Sequence, residues 1–347
     1  MKVARGALTA LGLLAVFSAG LVTGRLVEFG EKGPTPEDRE IRAGLQGYTN
    51  PLLECEIANE RLFRPLRPFT SGLTELVATL KRDRGATEVA VYYRDLNNGP
   101  WVGLREKQRY VPASLSKVPI VIACFRQAEA DPGFLARKIV YEGLAEERLP
   151  GFLNPESNLQ PGKTYSVDEL ILRIARFSDN AAAKLLTQAI PPGLLRRVYN
   201  DLGVEAQRLD SREFALSPQE YGAFFRVLYN ASYLSRRYSE QALLYFDQST
   251  FELGLVAGVP DGTAVSHKFG VWEKPPAGSG PPLQLHDCGI VYHPERPYLL
   301  CVMTTGENYV RMAGVIAAVS RFVFEEVDGS LKPSGASELP GDPPDGS

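Results

Sequence analysis

Strand patterns lie near both ends of the chain, and helical patterns fill the part between them. Early in the chain, 88–95 is rich in β-branched and aromatic residues, and 101–104 begins a return strand after a turn. Three strand patterns follow late, at 265–270, 283–292 and 298–305. Helical patterns lie at 73–80, 114–129, 167–176, 180–189, 192–202, 217–229 and 312–323. Strands that are distant in sequence must therefore pair. This predicts an α+β fold: an antiparallel sheet flanked by helices, with an inserted all-helical lobe.

The first 27 residues have the pattern of a leader. Lys2 and Arg5 precede an uncharged run over 6–24, and a helix of this length nearly spans the apolar core of a bilayer. The two basic residues should stay in the cytoplasm, which would place the rest of the chain outside it, in the periplasm or at the cell surface. Small residues near Ala19 suit cleavage, so a retained signal anchor and a cleaved signal peptide both stay open.

The remaining ranges predict one folded domain with unstructured flanks. We expect a linker at 28–50, a domain of two lobes at 51–328, and a disordered tail at 329–347 that is rich in Pro, Gly, Ser and Asp. Lysine and arginine number 38 against 41 acidic residues, a net charge of −3, so nucleic acid is not an expected partner. We expect a monomer.

The four cysteines do not predict a metal site. Cys55, Cys124, Cys288 and Cys301 include no C-x-x-C pair, and the chain has only three histidines. Cys288 and Cys301 flank a predicted hairpin turn. A cross-strand disulfide between them and two buried thiols are both consistent with the sequence.

Ser114 and Lys117 are the first pair of residues that carries chemistry. A spacing of three at the start of a helix puts both side chains on one face, within hydrogen-bond distance. A serine hydroxyl is a poor nucleophile until a base removes its proton, and a desolvated lysine can be that base. By itself the pair is equally typical of a capping serine followed by a solvated lysine.

Two further motifs follow in order along the chain. Ser178-Asp179-Asn180 lies between two helical patterns, where such residues are also ordinary caps. Lys268-Phe269-Gly270 lies on a predicted strand, where the lysine is also typical of a strand edge. Over residues 71–327 the set resembles the S-x-x-K, S-D-N and K-T-G motifs of class A β-lactamases and penicillin-binding proteins.

The resemblance to these penicillin-recognising serine hydrolases implies acyl transfer without a metal or an organic cofactor. Ser114 would attack a carbonyl carbon, and Lys117 would take the serine proton. Ser178 together with Lys268 would pass a proton to the leaving nitrogen.

The resemblance also assigns substrate binding. Asn180 would hydrogen-bond the substrate amide. Gly270, on the same predicted strand as Lys268, would lie next to the substrate. The backbone N–H groups of Ser114 and Val271 would form the oxyanion hole, in which each donor is typically worth about 3 kcal/mol.

Carboxylate recognition departs from the family's pattern. Phe269 stands where the family uses a hydroxyl residue, and a phenyl ring cannot donate a hydrogen bond. Cys288 stands in the strand position where class A enzymes often carry an arginine. His267 or His286 is the alternative for binding a substrate carboxylate.

Glu213 is the candidate base for deacylation. Residues 208–213 resemble the opening of the family's loop that carries this glutamate. The next helical pattern begins by Ser217, so the loop is much shorter than usual, and Glu213 is equally interpretable as a surface charge. Without a base to activate water, the acyl-enzyme would persist, as in a penicillin-binding protein.

Three functions therefore fit the sequence. The first is β-lactam hydrolysis by a membrane-anchored or secreted serine hydrolase. The second is a D-Ala-D-Ala peptidase that acts on stem peptides of peptidoglycan. The third is a catalytically weak cell-wall binding module, because a motif can outlive its activity.

Overall fold

Strands from both ends of the chain pair in one antiparallel sheet. The computed structural model describes residues 47–49, 67–83, 85–97, 99–143, 159–206, 209, 214–273 and 283–331. The strands are β1 (Glu88–Asp95), β2 (Trp101–Leu104), β3 (Lys138–Val140), β4 (Thr164–Ser166), β5 (Val265–Glu273), β6 (Leu283–Val291) and β7 (Tyr298–Gly306). The main sheet has the order β2-β1-β7-β6-β5, and β3 pairs with β4 in a second sheet. The predicted α+β fold is confirmed, since β1 pairs antiparallel with β7 over its whole length.

The described residues form eight α-helices. They are α1 (Arg67–Arg82), α2 (Lys117–Ala130), α3 (Val167–Phe177), α4 (Asn180–Ala189), α5 (Leu194–Asp201), α6 (Pro218–Tyr229), α7 (Arg236–Asp247) and α8 (Tyr309–Leu331). Two of the helix starts are fixed by reciprocal side-chain caps. Ser166 and Glu169 form a capping box at α3, and Ser217 and Glu220 form another at α6. Both helices begin within one residue of the predicted positions.

The main sheet carries a hydrophobic core on each face. Successive side chains of a strand point to opposite faces. On β7, Cys301 and Met303 join a cluster with the helices that lie between β2 and β5, whereas Leu300 and Val302 join a cluster with α1 and α8. The inserted helices therefore cover one face, and the first and last helices cover the other.

Some elements differ from the sequence patterns. Helix α7 and the short strands β3 and β4 were not predicted. Helix α8 continues to Leu331, past the predicted start of the tail, and Ser330 Oγ accepts a hydrogen bond from Arg296 Nη1 at 2.9 Å. The end of the chain that follows α8 lies outside the described residues.

Residues 47–49, within the predicted linker, contact the domain. The Tyr48 hydroxyl donates to Asp247 Oδ2 at 2.7 Å, and the Tyr292 hydroxyl donates to the Tyr48 carbonyl at 2.9 Å. The Glu240 carboxylate accepts from the backbone N–H groups of Tyr48 and Thr49. The folded unit thus includes residues before 51.

Cys288 and Cys301 lie directly opposite each other on β6 and β7 and form a disulfide. The structure thus selects one of the two alternatives that the sequence left open. Cys124 is a buried free thiol, and Cys55 lies outside the described residues. The predicted leader also lies outside them, and none of the helices that are described is long and apolar enough to cross a bilayer.

Candidate active site

Ser114 lies in a short turn just before helix α2. Ala113–Ser116 form a 3₁₀ turn, and α2 begins only at Lys117, three residues later than the predicted start at 114. Ala113 has a φ of 48°, a left-handed conformation that residues other than glycine rarely adopt. Ser114 itself keeps 9% of its surface exposed. The nucleophile candidate is therefore held in a bent, mostly buried segment.

Four oxygen atoms surround the Lys117 amine. Its Nζ lies 2.8 Å from Ser114 Oγ, 2.7 Å from the Ser178 carbonyl oxygen, 3.2 Å from Ser178 Oγ and 2.5 Å from Asn180 Oδ1. A carbonyl or amide oxygen only accepts hydrogen bonds. In the neutral amine, these two oxygens take the two hydrogens and leave the lone pair for the Ser114 hydroxyl. The arrangement therefore suits Lys117 to receive the serine proton.

The charge state of Lys117 fits the same role. Burial lowers the pKa of its amine from the ordinary 10.5 to about 7, and the nearby Asp179 carboxylate opposes part of this shift. About half of the amine is then neutral at pH 7. An exposed lysine would be almost fully protonated at that pH and could not act as a base.

The polar triplet joins α3 to α4. Ser178 ends α3 with a φ of 59°, and this left-handed turn lies beside Lys117 with both the carbonyl and the hydroxyl of Ser178 in contact. Asp179 caps α4 by accepting a hydrogen bond from Ala182 N at 2.9 Å. Both interpretations of the triplet therefore apply, because Asp179 is a helix cap while its two neighbours contact the candidate base.

Lys268 is buried near this group on the edge strand β5. Its Nζ donates to the Phe269 carbonyl at 2.8 Å, and among the contacts of the described residues it makes no hydrogen bond to Ser178. Burial and the positive charge of Lys117 hold its pKa well below the ordinary range, against the opposing effect of Asp287. The structure thus joins Ser178 to Lys117 directly, and the relay through Lys268 stays a prediction.

Gly270 allows β5 to lie against the turn that carries Ser114. A Cβ atom at this position would lie 2.9 Å from the Pro112 carbonyl oxygen and 3.1 Å from Leu115 N, too close for an unshifted side chain. Val271 is the next residue of the strand. The two residues assigned to the oxyanion hole, Ser114 and Val271, therefore belong to segments that touch each other at Gly270.

The side chains considered for carboxylate binding are engaged elsewhere. Phe269 is 1% exposed and stacks on another buried phenylalanine at 4.3 Å. His267 Nδ1 lies 2.7 Å from Asp287 Oδ1, and His286 Nε2 lies 3.1 Å from a backbone carbonyl. Both histidines are at most 1% exposed, and each has a hydrogen-bond partner within the protein.

Two contributors to the site were not identified from the sequence, and one predicted residue is not described. The Ser178 carbonyl contacts Lys117 only because of a left-handed turn, which the sequence pattern does not signal. The effect of the Asp179 carboxylate on the Lys117 pKa depends on the distance between the two groups, which the sequence does not give. Glu213 lies outside the described residues. Within the described ranges, no group of three His, Cys, Asp or Glu side chains is placed to bind a metal ion.

Comparison with known proteins agrees with this geometry. The sequence profile of the β-lactamase enzyme family matches residues 70–327, most of the chain. The chain belongs to this family. A β-lactamase of Streptomyces albus G is 28% identical over 273 residues, which cover 72% of this chain and 82% of the relative. Another β-lactamase, from Streptomyces lavendulae, is 29% identical over 197 residues, which cover 56% of this chain and 62% of the relative.

Solved structures share the fold of this β-lactamase family member. A class A β-lactamase from Mycobacterium abscessus has a TM-score of 0.60 at 26% identity, covering 74% of this chain and 98% of the other. A point mutant of PBP-A, solved as its acyl-enzyme complex with penicillin G, has a TM-score of 0.60 at 19% identity, covering 77% of this chain and 98% of the other. The predicted membership is confirmed, and the chain is a β-lactamase-like serine hydrolase.

Proposed function

We propose that this chain opens β-lactam rings by forming an acyl-enzyme at Ser114. The observation that carries the proposal is the 2.8 Å contact between Ser114 Oγ and the Nζ of Lys117, an amine with a pKa of about 7. Such a pair supplies a nucleophile and its base at neutral pH. The two Streptomyces relatives, which are β-lactamases, support the choice of substrate.

Acylation would proceed with protons passed among three side chains. The Ser114 oxygen bonds to the lactam carbonyl carbon while Lys117 takes the hydroxyl proton. The carbonyl oxygen gains negative charge near the N–H groups of Ser114 and Val271. The ring C–N bond then breaks, and its nitrogen takes the hydroxyl proton of Ser178. Lys117 replaces that proton across 3.2 Å, which leaves Lys117 neutral and Ser114 esterified.

The fate of the ester separates two candidate functions. In a hydrolase, Glu213 would take a proton from water as the water oxygen attacks the ester carbon, and the Ser114 oxygen would leave with a proton. The short segment between Glu213 and α6 favours the second candidate, a D-Ala-D-Ala peptidase that reacts with penicillin and turns over slowly. The fold that the chain shares with PBP-A is compatible with this alternative.

One experiment tests the proposal and separates the candidates. The full chain is incubated with a penicillin, and its intact mass and the remaining penicillin are followed over time. A transient adduct with loss of penicillin supports hydrolysis, and a persistent adduct supports the peptidase. If no adduct forms and no penicillin is lost, both enzymatic functions are excluded and a binding module remains. Ser114→Ala should abolish labelling, and Glu213→Gln should trap the adduct if Glu213 activates the water.

We also propose that the domain acts outside the cytoplasm, tethered by a retained N-terminal helix or secreted after cleavage. The uncharged run at 6–24 and the disulfide between Cys288 and Cys301 support this location, because disulfides persist in oxidising compartments. Protease added to cells with a permeabilised outer layer should digest the domain. Protection until the inner membrane is broken would contradict the proposal.

A further inference from the structure

We propose that Gln284 and His286 on β6 form a clamp that positions the turn carrying Ser114, and through it the oxyanion hole. The inference rests on the proposed role of Ser114 as the nucleophile. It assigns to two side chains outside the three motifs a role in the rate of acylation.

The clamp consists of two hydrogen bonds to one residue, Val111. Val111 N donates to Gln284 Oε1 at 3.1 Å, and His286 Nε2 lies 3.1 Å from the Val111 carbonyl oxygen. Residues 284 and 286 lie on the same face of β6, because the side chains of a strand alternate with a period of two. One strand therefore binds both polar backbone groups of Val111, three residues before Ser114.

The protonation state of His286 suits it to donate a hydrogen bond in a fixed direction. Its side chain is fully buried, and burial lowers the pKa of the imidazole to about 4, so the ring is neutral at neutral pH. Its Nδ1 accepts from Thr304 N at 3.3 Å, which assigns the ring hydrogen to Nε2. That nitrogen faces Val111 O at 3.1 Å and also Gln284 Oε1 at 3.3 Å, so its hydrogen links the two clamp side chains at Val111. The Tyr110 ring packs edge-on against the imidazole at 5.4 Å and restricts its rotation.

The turn needs such support because its own conformation is unfavourable. Ala113, next to Ser114, has a φ of 48°, and a non-glycine residue in this region costs about 1 kcal/mol or more. Strained backbone persists when surrounding contacts determine its position. The bonds to Val111 supply such contacts on the N-terminal side of Ala113.

The register of the sheet connects the clamp to the other half of the oxyanion hole. On β5, Gly270 pairs with His286, and Val271 pairs with Leu285, the residue between the two clamp side chains. The same stretch of β6 thus pairs with the strand that supplies the Val271 N–H and binds the turn that supplies the Ser114 N–H. We infer that it sets the separation of these two donors, which matters most when the carbonyl oxygen becomes charged.

Loss of the clamp should lower the rate of acylation more than the affinity for the substrate. Donors aimed at a developing oxyanion stabilise the transition state more than the ground state. For His286→Leu we expect the acylation rate constant to fall about tenfold or more, while the dissociation constant of the penicillin changes less than about threefold. His286→Gln keeps an N–H at the Nε2 position and should recover most of the rate.

His293→Leu is the matched control for the same replacement. His293 is also buried, but it lies after β6 and its ring packs on Phe324 of α8. We expect this variant to lose stability in thermal melts while its acylation rate stays within about twofold of the unmodified chain. A rate loss common to both histidine-to-leucine variants would assign the effect to general destabilisation and overturn the clamp.

The experiment measures single-turnover acylation of the full chain by a penicillin, together with hydrogen exchange in the peptide that contains Val111. Gln284→Met tests the other hydrogen bond of the clamp. In this variant the Val111 amide hydrogen should exchange at least about tenfold faster than in the unmodified chain. This variant also tests the clamp if His286→Leu does not fold. Unchanged acylation and exchange in Gln284→Met, or no recovery in His286→Gln, would overturn the proposal. If the unmodified chain is not acylated, the proposed function fails, whereas the exchange measurement still decides the clamp.

Discussion

The acid–base behaviour of Lys117 provides a quantitative test of the acylation chemistry. With a pKa of about 7, the neutral amine makes up about half of the molecules at pH 7 and about one-hundredth at pH 5. With the ordinary value of 10.5, the neutral fraction at pH 7 would be about 0.03%, roughly three orders of magnitude lower. Because a lowered amine pKa leaves the base form dominant above it, the acylation rate should rise about tenfold per pH unit up to pH 7 and then level off.

Asp179→Asn tests whether this midpoint belongs to Lys117. The Asp179 carboxylate raises the pKa of Lys117, so its neutralisation should lower that pKa and move the midpoint below pH 7. An asparagine oxygen can still accept the bond from Ala182 N that caps α4. The pKa of the other buried amine, Lys268, is governed by burial, Lys117 and Asp287, so it is a less direct target of this change.

The assay is single-turnover acylation by a chromogenic cephalosporin from about pH 5 to about pH 9, with thermal melts at each pH to confirm folding. Lys117→Arg keeps a positive charge on a group that does not give up its proton, and it should lose at least about a thousandfold in rate. A rate that is flat over this pH range would refute the reasoning. A midpoint that does not move in Asp179→Asn would refute the assignment to Lys117.

Three further outcomes follow from the fold. Replacing Cys288 and Cys301 with serine removes a cross-link between residues 13 apart and should cost about 3 kcal/mol of unfolding free energy, measured by urea titration; an unchanged midpoint would contradict this. A chain that starts at 51 lacks the contacts of Tyr48 and should melt several degrees below one that starts at 46, and equal melting temperatures would show that these contacts add nothing. Gly270→Ala should slow acylation at least about tenfold because its Cβ would push β5 away from the turn; wild-type kinetics would mean that the turn adapts freely.

The chemistry of the site could be predicted from the sequence because its reactive groups lie in short motifs. Ser114 and Lys117 are three residues apart at a helix start, so local geometry alone brings them together. The order of the three motifs identified the family. The start of α4 could likewise be predicted, since Asp179 is a cap that needs only its own helix.

Contacts between segments far apart in sequence could not be predicted in this way. Helix α7 was missed, and the role of Phe269 as a core residue became clear only with the sheet in place. The contact of His286 with the backbone before Ser114 was missed for the same reason, because the histidine and Val111 lie far apart in sequence. A side chain's face on a strand follows from its register, but what covers that face depends on the packing of the other elements.

The sequence by itself determined the fold class, the nucleophile candidate and its base, because apolar periodicity and short motifs are local properties. The tertiary structure decided the properties that depend on surroundings. It buried Lys117 and so lowered its pKa to about 7, and it paired Cys288 with Cys301. It also placed β6 against the turn before Ser114. Desolvation and backbone position are sums over neighbours from the whole chain, so only the folded arrangement sets them.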